Sequence, residues 1–515
     1  MISLVVAQAL IGFLLFVRWL KQTKYKYPAP FPPGPTAIPL FGNLCDFTSI
    51  EPWLTVTQWA KKYGDVCYLH IFGQGIVFLS SADAASDLLD KRGAIYSDRP
   101  ELKMVGDLCG CNRLLPFLNY DSGRFTRQQR FVKKTLGPRS IVAYHPMIRA
   151  STNAFLSELI NSPSHYLKHA RKYAGGLTLS IVYGHQAHNA DDRFLKQAEV
   201  CLEIIANDIT AGSGIWPVDL IPLLEYLPSW MPGASFKKKA AVWNTMLKEF
   251  AEDPFEEAKT AVKNGTILPS FCSNLLSRDE SLTATDEEET KYCANSMFAA
   301  SADTTVTTTS QFLLAMMLHP GVLKKAQAEI DRVVGYDRLP ELSDKSALPY
   351  VNAVMLEVWR WGVPVPLNIP HCLKQDDEYR GMHIPKGSIV IANIWAILRD
   401  EKLYPRPDVF DPERFTGEGQ NPVKDPRNYI FGFGRRRCPG ADLVESSIWL
   451  LLASMIASLD IKKLGEDQVQ VKYTYRLGFL VPVNVNVLCR VPDRLACDIK
   501  PRSEKIKAVL EVSQM

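Results

Sequence analysis

The stretch Phe431-Gly432-Phe433-Gly434-Arg435-Arg436-Arg437-Cys438-Pro439-Gly440 decides how the rest of the chain is read. It presents one cysteine in the setting a thiolate needs. Glycines at 434 and 440 relax the steric limits on either side of the sulfur. Three arginines precede the cysteine, and an apolar segment of helical character, Ala441 to Leu459, follows it. A cysteine just ahead of a helix start faces the positive end of the helix dipole and free backbone N–H groups, which lower its pKa. The competing reading is an arginine-rich turn around a structural cysteine. It leaves the complete spacing F-x-x-G-x-R-x-C-x-G without a reason.

Upstream, Thr285-Asp286-Glu287-Glu288 reads as a capping box with Thr285 as N-cap and Glu288 reaching back. The helix it opens runs to His319, where Pro320-Gly321 stops it. That is long for a globular protein. Its middle, Ala299-Ala300-Ser301-Ala302-Asp303-Thr304-Thr305-Val306-Thr307-Thr308-Thr309, holds more threonine than helix stability alone would choose. A hydroxyl at 304 can bond the carbonyl at 300 and open or bend the helix there. Small residues at 299 to 302 leave room, so a groove beside an acid and an alcohol can hold water and relay protons. The competing reading is a buried, threonine-rich helix. Pro349 to Trp361 forms another helix, with Glu357 and Arg360 on one face at i, i+3. Arg380 to Ile391 reads as two short strands around Pro385-Lys386-Gly387, a hairpin.

Together these pieces resemble the cytochrome P450 family of haem-thiolate monooxygenases, over nearly the whole chain from Pro32 to Leu488. The resemblance implies a mainly α fold with small β-sheets. It makes Cys438 the axial ligand of a haem iron, a thiolate that favours O–O cleavage. Arg436 matches the arginine on a haem propionate, Phe431 the aromatic near the sulfur, and Gly440 the glycine that closes the loop. Asp303 and Thr304 match the acid–alcohol pair that delivers protons to the oxygen site. Ser301 stands where the family usually has glycine, which leaves the groove's width open. Glu357, Arg360 and the Arg414 of Asp411-Pro412-Glu413-Arg414-Phe415 match a buried triad that serves fold and haem retention. His371 falls where the family places a basic residue on a propionate; a lone histidine is as often a surface or core residue. Phe125 replaces the usual tryptophan, and Gln129 the arginine four residues on. Either Arg130 takes that role through a local shift, the preferred reading, or one propionate contact is weaker.

With 515 residues the chain can bury a large core, and length alone suggests several domains. No repeat or Gly/Ser linker divides it after the N-terminal segment. The expected organisation is an anchor at 1–20, a basic, Pro-rich hinge at 21–35 and one catalytic body at 36–515. A net charge of +4 is small for this size and does not suggest nucleic acid. The eleven cysteines are odd in number and scattered, which fits a reducing compartment. Cys109-x-Cys111 has no matching second half for a zinc site. Ile2 to Val17 is almost wholly apolar; extended to Leu20 it reaches about 27–29 Å as a helix, close to a bilayer's hydrocarbon core. Arg18, Lys21, Lys24 and Lys26 follow, so the positive-inside rule leaves the body in the cytosol, on the endoplasmic reticulum membrane. The runner-up, a cleaved signal peptide, would want charge before the apolar run and a small-residue cleavage site after it. With a cytosolic body the sequon Asn264-Gly265-Thr266 stays unused.

The resemblance implies insertion of one atom of dioxygen into an apolar small molecule. Electrons come from a separate NADPH-cytochrome P450 reductase, because no dinucleotide fingerprint or flavin domain is present. Arg435 and Arg437 can meet an acidic reductase surface or be solvated charge. Two rival readings are a haem-thiolate isomerase or dehydratase that needs no reductase, and a non-catalytic haem sensor or lipid-binding protein. Binding walls are expected at Leu102 to Leu118, Ile204 to Pro232, Val363 to Ile369 and Tyr473 to Leu480, and their apolar content favours an apolar guest such as a terpenoid or polyketide intermediate. Ala94-Ile95-Tyr96-Ser97-Asp98-Arg99-Pro100 and Asn393-Ile394-Trp395-Ala396-Ile397 resemble fungal members tied to secondary metabolism.

Overall fold

The structure is a computed structural model that describes residues 29–39, 41–46, 51–210, 216–277, 283–417, 423–463, 473–476, 489–492 and 497–512. The expected membrane anchor lies outside these residues, as does the first part of the hinge. The described part of the hinge is tied to the body: Phe31 stacks on Tyr68 at 5.0 Å, and the carbonyls of Pro30 and Pro33 accept from the His383 and Tyr68 amides.

The molecule is mainly helical with small sheets. Its longest element is the helix Ala284–Leu318. Sequence reasoning placed its cap at Thr285; the N-cap is Thr283, whose hydroxyl accepts the Asp286 amide at 3.1 Å and donates to the Asp286 carboxylate at 2.7 Å. Thr285 therefore sits inside the first turn. Both threonines fit the local pattern, and the short Asp286 carboxylate closes onto the hydroxyl three residues before it. The helix packs against Tyr166–Tyr183, Gly123–Leu136, Pro349–Gly362 and Ala441–Ser458. Its apolar side chains, among them Phe298, Phe312, Leu313 and Met316, join Trp359, Trp449 and Leu451 in the main core. Ala441–Ser458 is, among the described residues, the one helix long and apolar enough to cross a membrane. Its residues from Ser447 onward are buried in that core, so it is a core helix.

A second apolar cluster lies under a four-stranded sheet of order β1-β2-β6-β3, built from β1 (Val66–Ile71), β2 (Gln74–Leu79), β3 (His371–Cys372) and β6 (Ile389–Ala392). β1 and β2 form a hairpin across Phe72-Gly73, both with positive φ, the conformation a two-residue turn needs. The hairpin expected around Pro385-Lys386-Gly387 does not form. Instead β5 (Met382–Ile384) pairs back with β4 (Asp377–Tyr379) across Arg380-Gly381, and β6 pairs parallel to β2 and antiparallel to β3. All four residues of β6 are buried, which suits a central strand with a neighbour on each side. Arg380 and Gly381, with φ of 52° and 73°, supply the turn that Pro385 cannot.

A third cluster is separate. Met104, Val105 and Leu114 meet Ile204, Ile205, Val218, Phe236 and Tyr292 there.

Candidate functional site

The cysteine loop is closed by its own backbone. The Cys438 amide donates to the Phe431 carbonyl at 2.7 Å, and the Arg436 and Arg437 amides donate to Phe433 and Gly434. Gly434 has φ of +50°, and a Cβ there would meet the Leu89 carbonyl oxygen at 2.3 Å, so the position admits only glycine. Its amide donates to the Asp90 carboxylate. Gly440 is the N-cap of Ala441–Ser458, and a Cβ on it would lie 3.9 Å from the Cys438 sulfur. Glycine thus keeps the space beside the sulfur clear. Cys438 keeps some solvent access although protein packs closely around its sulfur.

The helix start does not by itself produce a thiolate. Burial, the largest effect, pushes the Cys438 thiol up; the Gly440 amide and the Arg437 charge pull it down without winning. This corrects the expectation of a lowered pKa from the helix terminus alone. A cation at the sulfur would reverse the balance, since a coordinating thiol loses its proton to the metal.

Two guanidiniums and an imidazole gather on one flank. Arg436 donates Nε to the Ser97 carbonyl at 2.7 Å and Nη2 to the Leu118 carbonyl at 2.5 Å, and its guanidinium lies over the Phe125 ring at 4.1 Å. Its Nη1 is buried and finds no partner among the described residues. Arg99, also buried, donates to the carbonyls of Pro116, Ile369 and Pro370. His371 is buried with Nδ1 2.7 Å from the Tyr96 carbonyl. Burial pulls Arg436 down to about 10. Arg99 and His371 are pushed well below their ordinary ranges, by burial first and then by the neighbouring cations. Asp98 offsets part of this at Arg436, and a further acidic group placed among the three would relieve all of these shifts. The open thiol, the flat glycine beside it and the partnerless guanidinium nitrogen fit a planar, metal-bearing cofactor with acidic arms.

Arg99 was quoted in the sequence only as part of a family-like phrase. No local pattern marks it, because its partners lie up to 271 residues away. Arg130 is not brought to this flank; it is exposed, with its guanidinium 5.8 Å from the Phe131 ring. Gln129 donates instead to the Arg435 carbonyl at 3.3 Å.

On the long helix, Phe298 and Thr305 to Met317 are buried, whereas Ala299 and Ser301 to Thr304 are half-buried and Ala300 is exposed. The Thr304 hydroxyl donates to the Ala300 carbonyl at 3.3 Å, and Ser301 donates to Phe298 at 3.0 Å. Thr307, Thr308 and Thr309 do the same to carbonyls four residues back. The backbone does not open: it stays α-helical throughout. The surface opens instead, because alanine and serine fill so little of it. Asp303 and Thr304 both belong to this open stretch.

Behind the loop, Glu357 and Arg360 are fully buried and form a two-pronged pair at 2.7 and 2.8 Å. Arg414 adds Nε at 3.2 Å, and the Asp411 amide donates to Glu357 at 2.8 Å. Arg360 also donates to the carbonyls of Leu398, Pro407 and Val409. Trp359, next in sequence, meets Phe431 edge-to-face at 5.6 Å, which connects the charges to the cysteine loop. Cys109 and Cys111 are buried thiols, and no group of three or more His, Cys, Asp or Glu side chains placed to hold a metal ion occurs among the described residues. The expected walls at 102–118 and 204–232 do meet, in the third apolar cluster. The wall at 473–480 lies largely outside the described residues.

A family model described as Cytochrome P450 matches residues 32–490. The chain is 37% identical over 519 residues to "Cytochrome P450 monooxygenase 176" of Postia placenta, covering 99% of this chain and 97% of that one. It is 38% identical over 493 residues to "Cytochrome P450 monooxygenase claT" of Ampulloclitocybe clavipes, covering 94% of each. It is also 38% identical to "Cytochrome P450 monooxygenase 226" of Postia placenta, over 94% of this chain and 91% of that one.

Proposed function

The chain belongs to the cytochrome P450 family of haem-thiolate monooxygenases, and on that premise we propose that it oxidises an apolar small molecule at the membrane surface, with electrons from a separate NADPH reductase. Bound haem supplies oxygen activation: two electrons and two protons enter, one oxygen atom goes into the substrate and the other leaves as water. Cys438 holds the iron. Arg436, Arg99 and His371 would hold the acidic arms, which would give the partnerless Arg436 nitrogen an acceptor and offset the burial of all three. Phe431 and the Glu357–Arg360–Arg414 triad keep the loop in register. Arg130, exposed on its helix, has less to support a place on the arms than Arg99 does.

The carrying observation is the partly exposed stretch Ala299 to Thr304, followed along the same helix by the buried run Thr305 to Met317. Thr304 Oγ1 makes a long bond to its own helix, one it can exchange for a proton-accepting partner in the groove. Asp303 beside it can return the proton from the solvent side. A haem sensor or a reductase-independent isomerase has no use for this pair.

The third apolar cluster supports an apolar guest, in the terpenoid or polyketide class. Membrane association has support besides the N-terminal apolar segment. Leu223, Tyr226 and Trp230 are 74%, 79% and 77% exposed, with Lys238 and Lys239 close behind in sequence and also exposed. Amphipathic aromatics flanked by lysine suit a lipid headgroup zone. This fits an anchor at 1–20, a hinge at 21–35 and a body at 36–515 on the cytosolic face of the endoplasmic reticulum. Arg435 and Arg437, both exposed beside the cysteine, suit an acidic reductase face.

The test is reconstitution with purified reductase and candidate apolar metabolites. NADPH consumption should track a product heavier by one oxygen atom derived from dioxygen. Cys438→Ser should abolish both, and Thr304→Val should separate them, with NADPH consumed and less product formed. Turnover without NADPH would favour the isomerase, and a red protein without substrate-coupled NADPH consumption the sensor.

A further inference from the structure

We propose that Asn295 is a positioning residue: its side-chain amide fills the hydrogen-bond vacancy that Pro254 leaves in the helix Ser235–Lys263, and so fixes where the long helix Ala284–Leu318 lies just before the stretch that carries Asp303 and Thr304. Pro254 is buried in the interior of its 29-residue helix. It has no N–H, so the carbonyl four residues back, that of Phe250, loses its helical donor. Asn295 Nδ2 donates to that carbonyl at 3.1 Å, and both residues are buried. A proline inside a helix is destabilising, and a buried carbonyl left without a donor would add to the penalty. The vacancy is instead filled from the neighbouring helix, which makes Pro254 and Asn295 one unit.

Phe250 holds the long helix in two ways. Besides its carbonyl, its ring lies 5.5 Å from that of Phe298, which also meets Tyr183 edge-to-face at 6.1 Å. Between the two, Ser296 Oγ accepts the Leu115 amide at 3.0 Å while donating to the Tyr292 carbonyl at 2.7 Å. Asn295, Ser296 and Phe298 are thus held by three separate segments on one turn of helix, and Ala299 begins the partly exposed stretch immediately after them. The Phe298 carbonyl accepts the Ser301 hydroxyl at 3.0 Å, so the start of that stretch is referred back to the same turn. The ion pairs between the two helices, Lys291–Glu252 at 3.1 Å and Lys259–Glu287, are partly exposed and contribute little. Asn295 supplies a tie that water does not reach. Alanine and serine cannot hold the groove by their own bulk, so its place is set by what holds the turn before it.

That this turn matters to the reaction rests on the proposed function, in which the haem held by Cys438 faces the stretch; the filled vacancy does not, and the experiment separates them. Urea melts of the full chain read the vacancy in wild type, Asn295→Ala, Pro254→Ala and the double variant. The Kd of phenylimidazole, an apolar haem-ligating probe that needs room beside the stretch, followed by absorbance in the haem-loaded chain, reads the positioning. Asn295→Ala should lower the urea midpoint. In the Pro254→Ala background, where residue 254 again supplies an N–H, the same replacement should lower it by roughly half as much or less. The probe's Kd should change by about threefold or more in Asn295→Ala, and by as much in the double variant, whose helix is mended but no longer tied. Pro254→Ala alone keeps the tie, since a carbonyl accepts two bonds, and should leave Kd within about twofold. Should Asn295→Ala fail to fold, Asn295→Leu, which keeps the volume and removes the donor, carries the same expectation. Equal midpoint losses in the two backgrounds would overturn the filled vacancy. A Kd unchanged in Asn295→Ala, or restored in the double variant along with the midpoint, would overturn the positioning role. A wild-type protein that binds no haem would instead overturn the proposed function and leave the melts readable.

Discussion

At Glu357 one carboxylate holds two guanidiniums and a backbone amide where water does not reach. A buried charge set of this kind adds little compared with a well-packed apolar one, but losing one member strands the others. Glu357→Gln should destabilise the protein by about 3–5 kcal/mol, measured by urea or thermal melts, and speed haem loss. Arg360→Lys keeps the charge but cannot reproduce the two-pronged pair or the three carbonyl bonds, so it should also lower the melting temperature. Gly434→Ala carries strain from two sources, a left-handed φ and a Cβ driven into the Leu89 carbonyl. It should cost more than the 1–3 kcal/mol or so of a strained backbone alone, and show as poor haem retention in absorbance spectra. At this scale the sequence was highly legible for Glu357, Arg360, Arg414 and Cys438, because each stands in a short pattern of fixed spacing. It was silent on Arg99, which no neighbour in sequence marks.

The long helix shows what local rules can and cannot say about an element. Composition named its extent and its odd threonine content, and the Thr304 hydroxyl does bond the Ala300 carbonyl. The cap was misplaced by two residues, since Thr283 and Thr285 present the same hydroxyl and only the turn geometry chooses between them. Thr283→Ala should therefore cost about 1 kcal/mol in thermal or urea melts, and Thr285→Ala much less. The expected opening of the backbone did not follow from the hydroxyls: the helix stays α-helical through the stretch while it packs on Tyr166–Tyr183 and Ala441–Ser458. The misread hairpin has a related cause. Met382–Ile384 and Ile389–Ala392 are close in sequence, but a strand buried along its whole length needs two partners, and β6 finds them in β2 and β3.

For the whole molecule, the largest shift in a carboxylate facing the apolar cluster is that of Asp219, raised to about 6 from 3.8. The folded state then holds this proton more tightly than the unfolded one. Its stabilising contribution is complete below the unfolded value and is lost as pH rises through about 6. At neutral pH the ionised, half-buried carboxylate is a net cost, so Asp219→Asn should be more stable than the wild type in urea melts at pH 7, by at most about 3 kcal/mol. The advantage should fade toward pH 4. A wild-type protein no less stable than Asp219→Asn at pH 7 and equally so at pH 4 would contradict the assignment of that shift to burial.

The sequence by itself determined the cysteine loop, the helix before and the helix after it, the acid–alcohol pair and the buried charge triad, since each depends on contacts within a few residues or on a motif of rigid spacing. Tertiary structure alone decided the rest: which strand β6 joins, that burial outweighs the Gly440 amide and the Arg437 charge at Cys438, that Arg99 joins Arg436 and His371, and that Asp219 reaches Met104. Those outcomes depend on what surrounds a group, and desolvation and long-range hydrogen bonding are properties of the packed interior that no window along the chain contains.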